Sequence, residues 1–262
     1  MDYKTILLKV EYPLAEIVLN RPDAGNTLNA DLAQELHHAA LVCEQDAEVR
    51  AVLLRGEGKN FCLGGDLNHF AEHITNLPFH MKDLIIFLHS AITRLARMEK
   101  PVIAAVHGNV AGAGISFMSA ADMAIAAQST TFTLSYTRVG LSPDGASTFF
   151  LPRLVGTRRA LEMALTNRTL NADEALEWGL VNRLAADDEL VERARKWVSE
   201  LAAGPTGAFG AAKTLLRASL KETLESQMEK EAGYIAAMAG SSDFQEGVMA
   251  FLQKRPPKFT GK

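Results

Sequence analysis

The sequence predicts an α/β protein: a layered core of parallel strands followed by a helical C-terminal layer. Three observations lead there. Strands start at Val52, Val102 and Met123 with helical stretches between them, and strand–helix alternation builds a parallel sheet covered by helices. Residues 101–122, PVIAAVHGNVAGAGISFMSAAD, read as strand, glycine turn and helix in succession. After Ala146 the pattern is mostly helical.

Taken in order, residues 5–10 and 15–19 alternate as two strands of a hairpin that turns at Tyr12-Pro13. NRPDAGNTLN follows as a Pro/Asp/Gly/Asn loop. Asn29 is placed to cap a helix with Leu32, Leu36, Ala39, Ala40 and Cys43 on one face. Residues 49–55 are the next strand. Residues 70–78 read as irregular, and His69 to Met81 as the wall of an acyl pocket. Residues 79–98 form a helix through Leu84, Phe87, Leu88, Ala91, Ile92 and Leu95. Strands at 102–106 and 123–126 follow, then a short segment opened by Phe132.

In the helical third, Asn171 with Glu174 makes a capping box and Gly179 closes that helix. Residues 187–203 are amphipathic, with Leu190, Val191, Ala194, Trp197, Val198 and Leu201 facing inward. Further helices start at Pro205, at Lys221 and at Asp243, the last ending at Pro256-Pro257.

The chain has 262 residues, 48% of them hydrophobic, enough for one large core, with a net charge of −4. No basic run suggests a nucleic-acid or anionic-membrane partner. Cys43 and Cys62 lack metal-ligand spacing, so no metal site is expected, and two unpaired thiols suit a reducing cytoplasm. The opening MDYKTILLKVEY lacks the apolar core and cleavage site of a signal peptide. The apolar stretch at 110–127 is broken by glycines and carries Asp122, which makes it core and not a membrane span.

The glycine turn at Gly108, Gly112 and Gly114 presents backbone N–H groups at a helix start. It suits a phosphate, a developing oxyanion, or simple close packing. A dinucleotide fingerprint would need a third glycine where Phe117 stands, and no phosphate-loop lysine motif is present. An oxyanion hole requires a second N–H from elsewhere, and FCLGGDL at 61–67 supplies the candidate.

Taken together, NRPDAGNTLN, FCLGGDL, PVIAAVHGNVAGAGI, the AAD at 120–122, GLSPDGAS and the terminal SSDFQEGVMAFLQKRPPKFTGK resemble the crotonase superfamily, the enoyl-CoA hydratase/isomerase family. The resemblance runs from about residue 5 to the C-terminus. It implies a spiral of ββα units over residues 1–200 and a helical oligomerisation region over 201–262, in a homotrimer or a dimer of trimers. It implies acyl-CoA thioester substrates, with coenzyme A part of the substrate and no separate cofactor. It implies an oxyanion hole at the N–H groups of Gly65 and Ala113. By the same resemblance Asp23, Ala24, Asn26 and residues Leu63, Gly64, Asp66 and Leu67 line the coenzyme A arm.

The two glutamates of the family's hydratases are replaced here by Ser116 and Tyr136. Asp144 instead supplies an acid where hydratases carry glycine. That pattern resembles the enoyl-CoA isomerases of phenylacetate-type degradation, in which one carboxylate shuttles a proton. It also resembles 4-chlorobenzoyl-CoA dehalogenase, in which the equivalent aspartate attacks the ring and a histidine, here His89, activates water. The leading expectation is an acyl-CoA isomerase. A dehalogenase-like aryl-CoA hydrolase, a hydratase and a non-catalytic acyl-CoA binder are the alternatives. Ser-Pro-Asp-Gly is also an ordinary β-turn, and His89 reads equally as a surface or packed helix residue. His107 is expected to make a structural hydrogen bond, Asp122 to be structural, and Met81, Met98, Met118 and Met123 to fill the core or line an acyl pocket.

Overall fold

The computed structural model describes residues 2–262. Strands β1 (Ile6–Glu11) and β2 (Leu14–Leu19) pair antiparallel, Ile6 against Leu19. Helix α1 (Ala30–Gln45) starts where the Asn29 side chain accepts the Leu32 N–H at 2.9 Å, and it buries the face its spacing predicts. Next come β3 (Ala51–Gly56), α2 (Leu67–Glu72) and α3 (Leu77–Arg97).

The stretch expected to be irregular, 70–78, is therefore largely helical. Asp66 caps α2 by accepting the His69 N–H, and Pro78 sits in the first turn of α3, where its missing N–H has no helical partner to lose.

Strand β4 (Val102–Val106) has the predicted bounds. Beyond it lie β5 (Asn109–Ala111), α4 (Ala113–Ala120), β6 (Met123–Ala127) and β7 (Thr131–Thr133). The rest comprises α5 (Ser147–Leu154), α6 (Thr157–Thr166), β8 (Leu170–Asn171), α7 (Ala172–Glu177), β9 (Arg183–Ala185), α8 (Leu190–Ala202), α9 (Thr206–Ala218), α10 (Leu224–Ala239) and α11 (Ser242–Leu252). The Asn171–Glu174 capping box of α7 is present. Strands β5, β8 and β9 span two or three residues each, too few to show a sequence period.

The main sheet runs β1-β2-β3-β4-β6-β9, parallel from β2 onward; β5-β7-β8 form a second small sheet. Alternation along β3 divides the core. Val52 and Leu54 pack with α1, α3 and α4, while Ala51 and Leu53 pack with Leu190, Ala194, Trp197 and Val198 of α8. Val191, expected inward, is exposed, because Leu190 and Ala194 already face the sheet.

Asp122 seats the C-terminal layer. Its carboxylate accepts the Val102 N–H at 2.8 Å and pairs with Lys213 at 2.7 Å and Arg217 at 3.0 Å, which holds α9 on the core. The buried Asp243 accepts the Thr260 and Gly261 N–H groups and fixes the tail. In contrast, α10 buries no residue and exposes Leu224, Met228 and Ile235, and α11 exposes Phe244, Phe251 and Leu252. Among the described residues no helix is long and apolar enough to cross a membrane. Burial pushes the thiols of Cys43 and Cys62 up to about 12, so both are inert.

A buried carboxylate that the pattern did not show is Glu35. Burial alone would push its carboxyl up, but bonds from the Thr5 hydroxyl and the Lys4, Thr5 and Ile6 N–H groups hold it below the usual carboxylate range. Glu35→Ala leaves those donors without an acceptor, and should destabilise the fold by about 3 kcal/mol in urea unfolding at pH 7. Because the folded carboxyl is depressed, its contribution is complete above the unfolded value of about 4.3 and is lost as pH falls below it. The gap between wild type and Glu35→Gln should therefore narrow at acid pH.

Candidate active site

The site is built where two glycine turns meet back to back. The chain from β3 passes through Cys62, which pairs with Val110 as the Ala111 N–H reaches the Cys62 carbonyl at 2.9 Å. On its other side the turn pairs with Leu28: the Leu28 N–H bonds Gly64 O at 2.7 Å, and the Asp66 N–H bonds Leu28 O at 2.9 Å. The amides of Leu63, Asp66, Ala111 and Gly112 are thus used. Those of Gly65 and Ala113 find no acceptor among the described residues. Ala113 is the first residue of α4, so its N–H also lies at the positive end of that helix.

Gly112, the residue before it, has φ 50° and ψ −116°, a conformation open only to glycine. A side chain there would also meet the Gly64 backbone at 3.1 Å.

Both turns open into a cavity of about 380 Å³ with mostly apolar walls, including Leu28, Leu63, Phe70, Leu84, Ile85 and Leu88. Met81 joins this lining, whereas Met98 and Met118 are core. Leu28 and Phe70 were not singled out from the sequence; as ordinary apolar residues they carry no local signal of a pocket.

Asp144 stands at the cavity wall, its side chain about one-third exposed. His89, reaching across from α3, places Nε2 2.7 Å from Asp144 Oδ1. An ionised carboxylate only accepts hydrogen bonds, so this contact puts the ring proton on Nε2. The Asp144 main chain is held as firmly. Its carbonyl accepts the Ser116 and Ser147 hydroxyls, each at 2.9 Å, with the Tyr136 hydroxyl at 3.5 Å. Burial pushes the Tyr136 phenol up to about 12, so it stays protonated and available as a donor. Gly145, at φ 61°, lets this turn press on Ser116, 2.7 Å from where a side-chain carbon would lie.

A second, more polar groove of about 560 Å³ shares Leu63, Gly65 and Leu67 with the cavity and continues past Ala24, Thr27 and Asn29. Of the residues expected along a coenzyme A arm, Ala24, Leu63, Asp66 and Leu67 border this groove, and Gly64 lines the cavity. Asp23 is exposed and lies outside both linings.

Asn26 departs from expectation. It is fully buried, its Oδ1 accepts the Arg21 N–H, and its Nδ2 donates to the Glu57 and Asn60 carbonyls, so it braces the loop and has nothing left for a ligand. The Asp66 carboxylate is likewise occupied, pairing with Arg21 at 2.9 Å and capping α2. Both side chains look functional in sequence because Asn and Asp in a loop carry the same signature whether they bind a ligand or the backbone. His107 makes the expected structural bond, to Gly58 O at 2.9 Å.

Comparison with known proteins gives the class to which this fold and its facing turns belong. The profile described as enoyl-CoA hydratase/isomerase matches residues 10–262. A protein of Rhodobacter capsulatus named a probable enoyl-CoA hydratase is 41% identical over the whole of both chains. The 1,2-epoxyphenylacetyl-CoA isomerase of Escherichia coli K12 is 37% identical over 98% of each chain. A 4-chlorobenzoyl coenzyme A dehalogenase of Arthrobacter is 37% identical over 92% of this chain and 88% of its own. The crystal structure of an enoyl-CoA hydratase from Polaromonas superposes with a TM-score of 0.93 at 31% identity, covering 97% of this chain and 99% of that one. The chain belongs to the enoyl-CoA hydratase/isomerase family and has the crotonase fold.

Replacing Gly112 by Ala should force a side chain into the Gly64 backbone from a disfavoured φ, costing about 1–3 kcal/mol of stability. It should also spread the two turns, so calorimetric titration with crotonyl-CoA should show weaker binding than in wild type.

Proposed function

We propose that this protein is a cytoplasmic acyl-CoA isomerase that shifts a double bond through a thioester enolate. The observation that carries the reading is the placement of one carboxylate, Asp144, on the wall of a cavity that also receives two unpartnered main-chain N–H groups. A 3-enoyl-CoA would enter with its thioester carbonyl on the Gly65 and Ala113 N–H groups and its coenzyme A arm along the polar groove.

Asp144 Oδ2, the oxygen not bonded by His89, removes a proton from C2. The electron pair moves through the thioester to give a dienolate, and the two N–H groups stabilise its oxyanion; one such donor is worth about 2.7–4 kcal/mol in a transition state. The protonated Asp144 then returns the proton at C4, the carbonyl re-forms, and the double bond lies between C2 and C3. No proton is gained or lost overall, and the thioester supplies all the chemistry beyond the side chains.

Ser116 and Tyr136 support this reading against hydration. Adding water calls for paired acid and base groups, and these two side chains offer neutral hydroxyls that already anchor the Asp144 loop.

The His89–Asp144 contact favours a second reading, an aryl-CoA hydrolase in which Asp144 attacks the ring and His89 activates water. Asp144→Asn compared with wild type on a 3-enoyl-CoA, with products separated by chromatography, tests the first. Conversion to the 2-enoyl-CoA should fall by about 10²–10⁴-fold in the variant, and crotonyl-CoA should not be hydrated by either protein. Hydration of crotonyl-CoA that survives the substitution would overturn the reading. Chloride release from 4-chlorobenzoyl-CoA, with oxygen-18 from solvent entering the Asp144 carboxylate, would establish the second.

The same proposal includes a homotrimer, alone or paired as a dimer of trimers. The exposed Leu224, Ile235, Phe251 and Leu252 of α10 and α11 are the apolar surface that such an assembly would cover. Sedimentation equilibrium should return three or six times the chain mass, and a monomer at micromolar concentration would exclude it.

A further inference from the structure

Three histidines outside the reaction chemistry converge beside the acyl cavity. His69 lies on α2, His73 directly follows it, and His80 lies in the first turns of α3. One ring nitrogen from each falls within 4.8 Å of the others. Nε2 of His80 lies 2.8 Å from Nε2 of His69, and the His73 and His80 rings stack at 4.1 Å with 7° between their planes. All three residues are half-buried. The absence of cysteine spacing gave no expectation of a metal here. The histidines are brought together because α2 and α3 fold back on each other across residues 73–77.

We propose that His69, His73 and His80 form a binding site for one divalent transition-metal ion, with Zn²⁺ as its representative. Three features of the geometry argue for this.

First, Nδ1 of His73 is 2.8 Å from the His69 carbonyl, which can only accept, so that nitrogen carries the proton and Nε2 is left with a free lone pair. Ring orientation by a backbone carbonyl is the usual outer support of a metal-bound histidine.

Second, a nitrogen–nitrogen contact of 2.8 Å requires one ring to donate to the other, a bond that a cation can replace. The donor ring carries its proton on Nδ1 instead, which turns the Nε2 lone pair to the ion. Zn–N bonds of about 2.0–2.1 Å set tetrahedral nitrogens about 3.4 Å apart; the ligand nitrogens here lie between 2.8 Å and 4.8 Å from one another, and the stacked His73 and His80 rings would turn out of parallel to aim at one ion.

Third, three imidazoles leave one position for water, and imidazole donors suit zinc, nickel, copper or iron better than magnesium or calcium.

The position gives such an ion a consequence. Phe70, between the first two histidines, packs over Gly65, with its ring edge 2.6 Å from where a side-chain carbon on Gly65 would lie. Met81 and Lys82, next to His80, line the acyl cavity. An ion held by both helices cross-links the cavity wall to the turn that carries the Gly65 N–H. The inference does not depend on which acyl-CoA reaction the site performs.

The test uses full-length protein without a histidine tag, stripped with chelator and titrated with zinc sulfate by calorimetry. We expect one ion per chain, a rise in melting temperature with zinc, and about tenfold or greater weakening in both His73→Gln and His80→Gln. His38→Gln, whose ring instead bonds the Tyr3 hydroxyl, should bind zinc as wild type does. Cobalt chloride added to wild type should give the intense visible absorption of four-coordinate cobalt, a readout that needs no variant to fold. Failure to bind zinc at 100-fold excess over protein, affinity unchanged in both variants, or only the weak absorption of six-coordinate cobalt would overturn the site and leave a hydrogen-bonded histidine stack.

Discussion

The close approach of two main-chain turns governs this molecule. Gly64 and Gly112 meet with no side chain between them, and the parallel bridge from Cys62 to Val110 holds them there. Everything near the cavity follows from that contact. It forces Gly112 into a backbone conformation other residues resist, it aims the start of α4 at the cavity, and it leaves the N–H groups of Gly65 and Ala113 without protein partners, while those of Leu63, Asp66, Ala111 and Gly112 are paired. Two main-chain donors that face a cavity are placed to receive an electron-rich atom, and an enolate oxygen would meet both at once.

The second design feature is the way the Asp144 loop is supported. By the resemblance to the family's hydratases, Ser116 and Tyr136 stand where those enzymes carry two glutamates. Here those hydroxyls turn to the Asp144 carbonyl, joined by Ser147, and His89 steadies the carboxylate from the opposite side. The hydroxyls therefore act as scaffolding for the Asp144 loop. The same His89 contact would serve a proton shuttle by fixing one oxygen and a nucleophile by activating water, which is why substrate, and not geometry, separates the two readings.

The C-terminal third joins the core through a few polar anchors, and its outer surface stays apolar. Asp122 gathers Lys213 and Arg217, Glu16 pairs with Arg55 at 3.2 Å and with Arg195 at 2.5 Å, and Asp243 holds the tail. These buried or half-buried pairs direct how α8, α9 and the tail seat more than they add net stability. The long exposed apolar residues of α10 and α11 are what a neighbouring chain would bury.

Local chemistry determined much of this in advance. Pro101 and Gly108 bracket an apolar β-branched run, and β4 appears with those bounds; Asn29 and Asn171 cap helices because their side chains satisfy the first free amides. The pairing of two glycine turns was also legible, since a single main-chain donor would have been chemically incomplete. Tertiary structure alone decided the rest. It made 70–78 largely helical where the sequence read as irregular, used up Asn26 and Asp66 in bracing, brought His89 to Asp144 across 55 positions of chain, and gathered His69, His73 and His80. The physical reason is common to all four: sequence pattern reports backbone conformation and burial within a few residues, whereas which side chains meet depends on how separate elements pack, a property no local window contains.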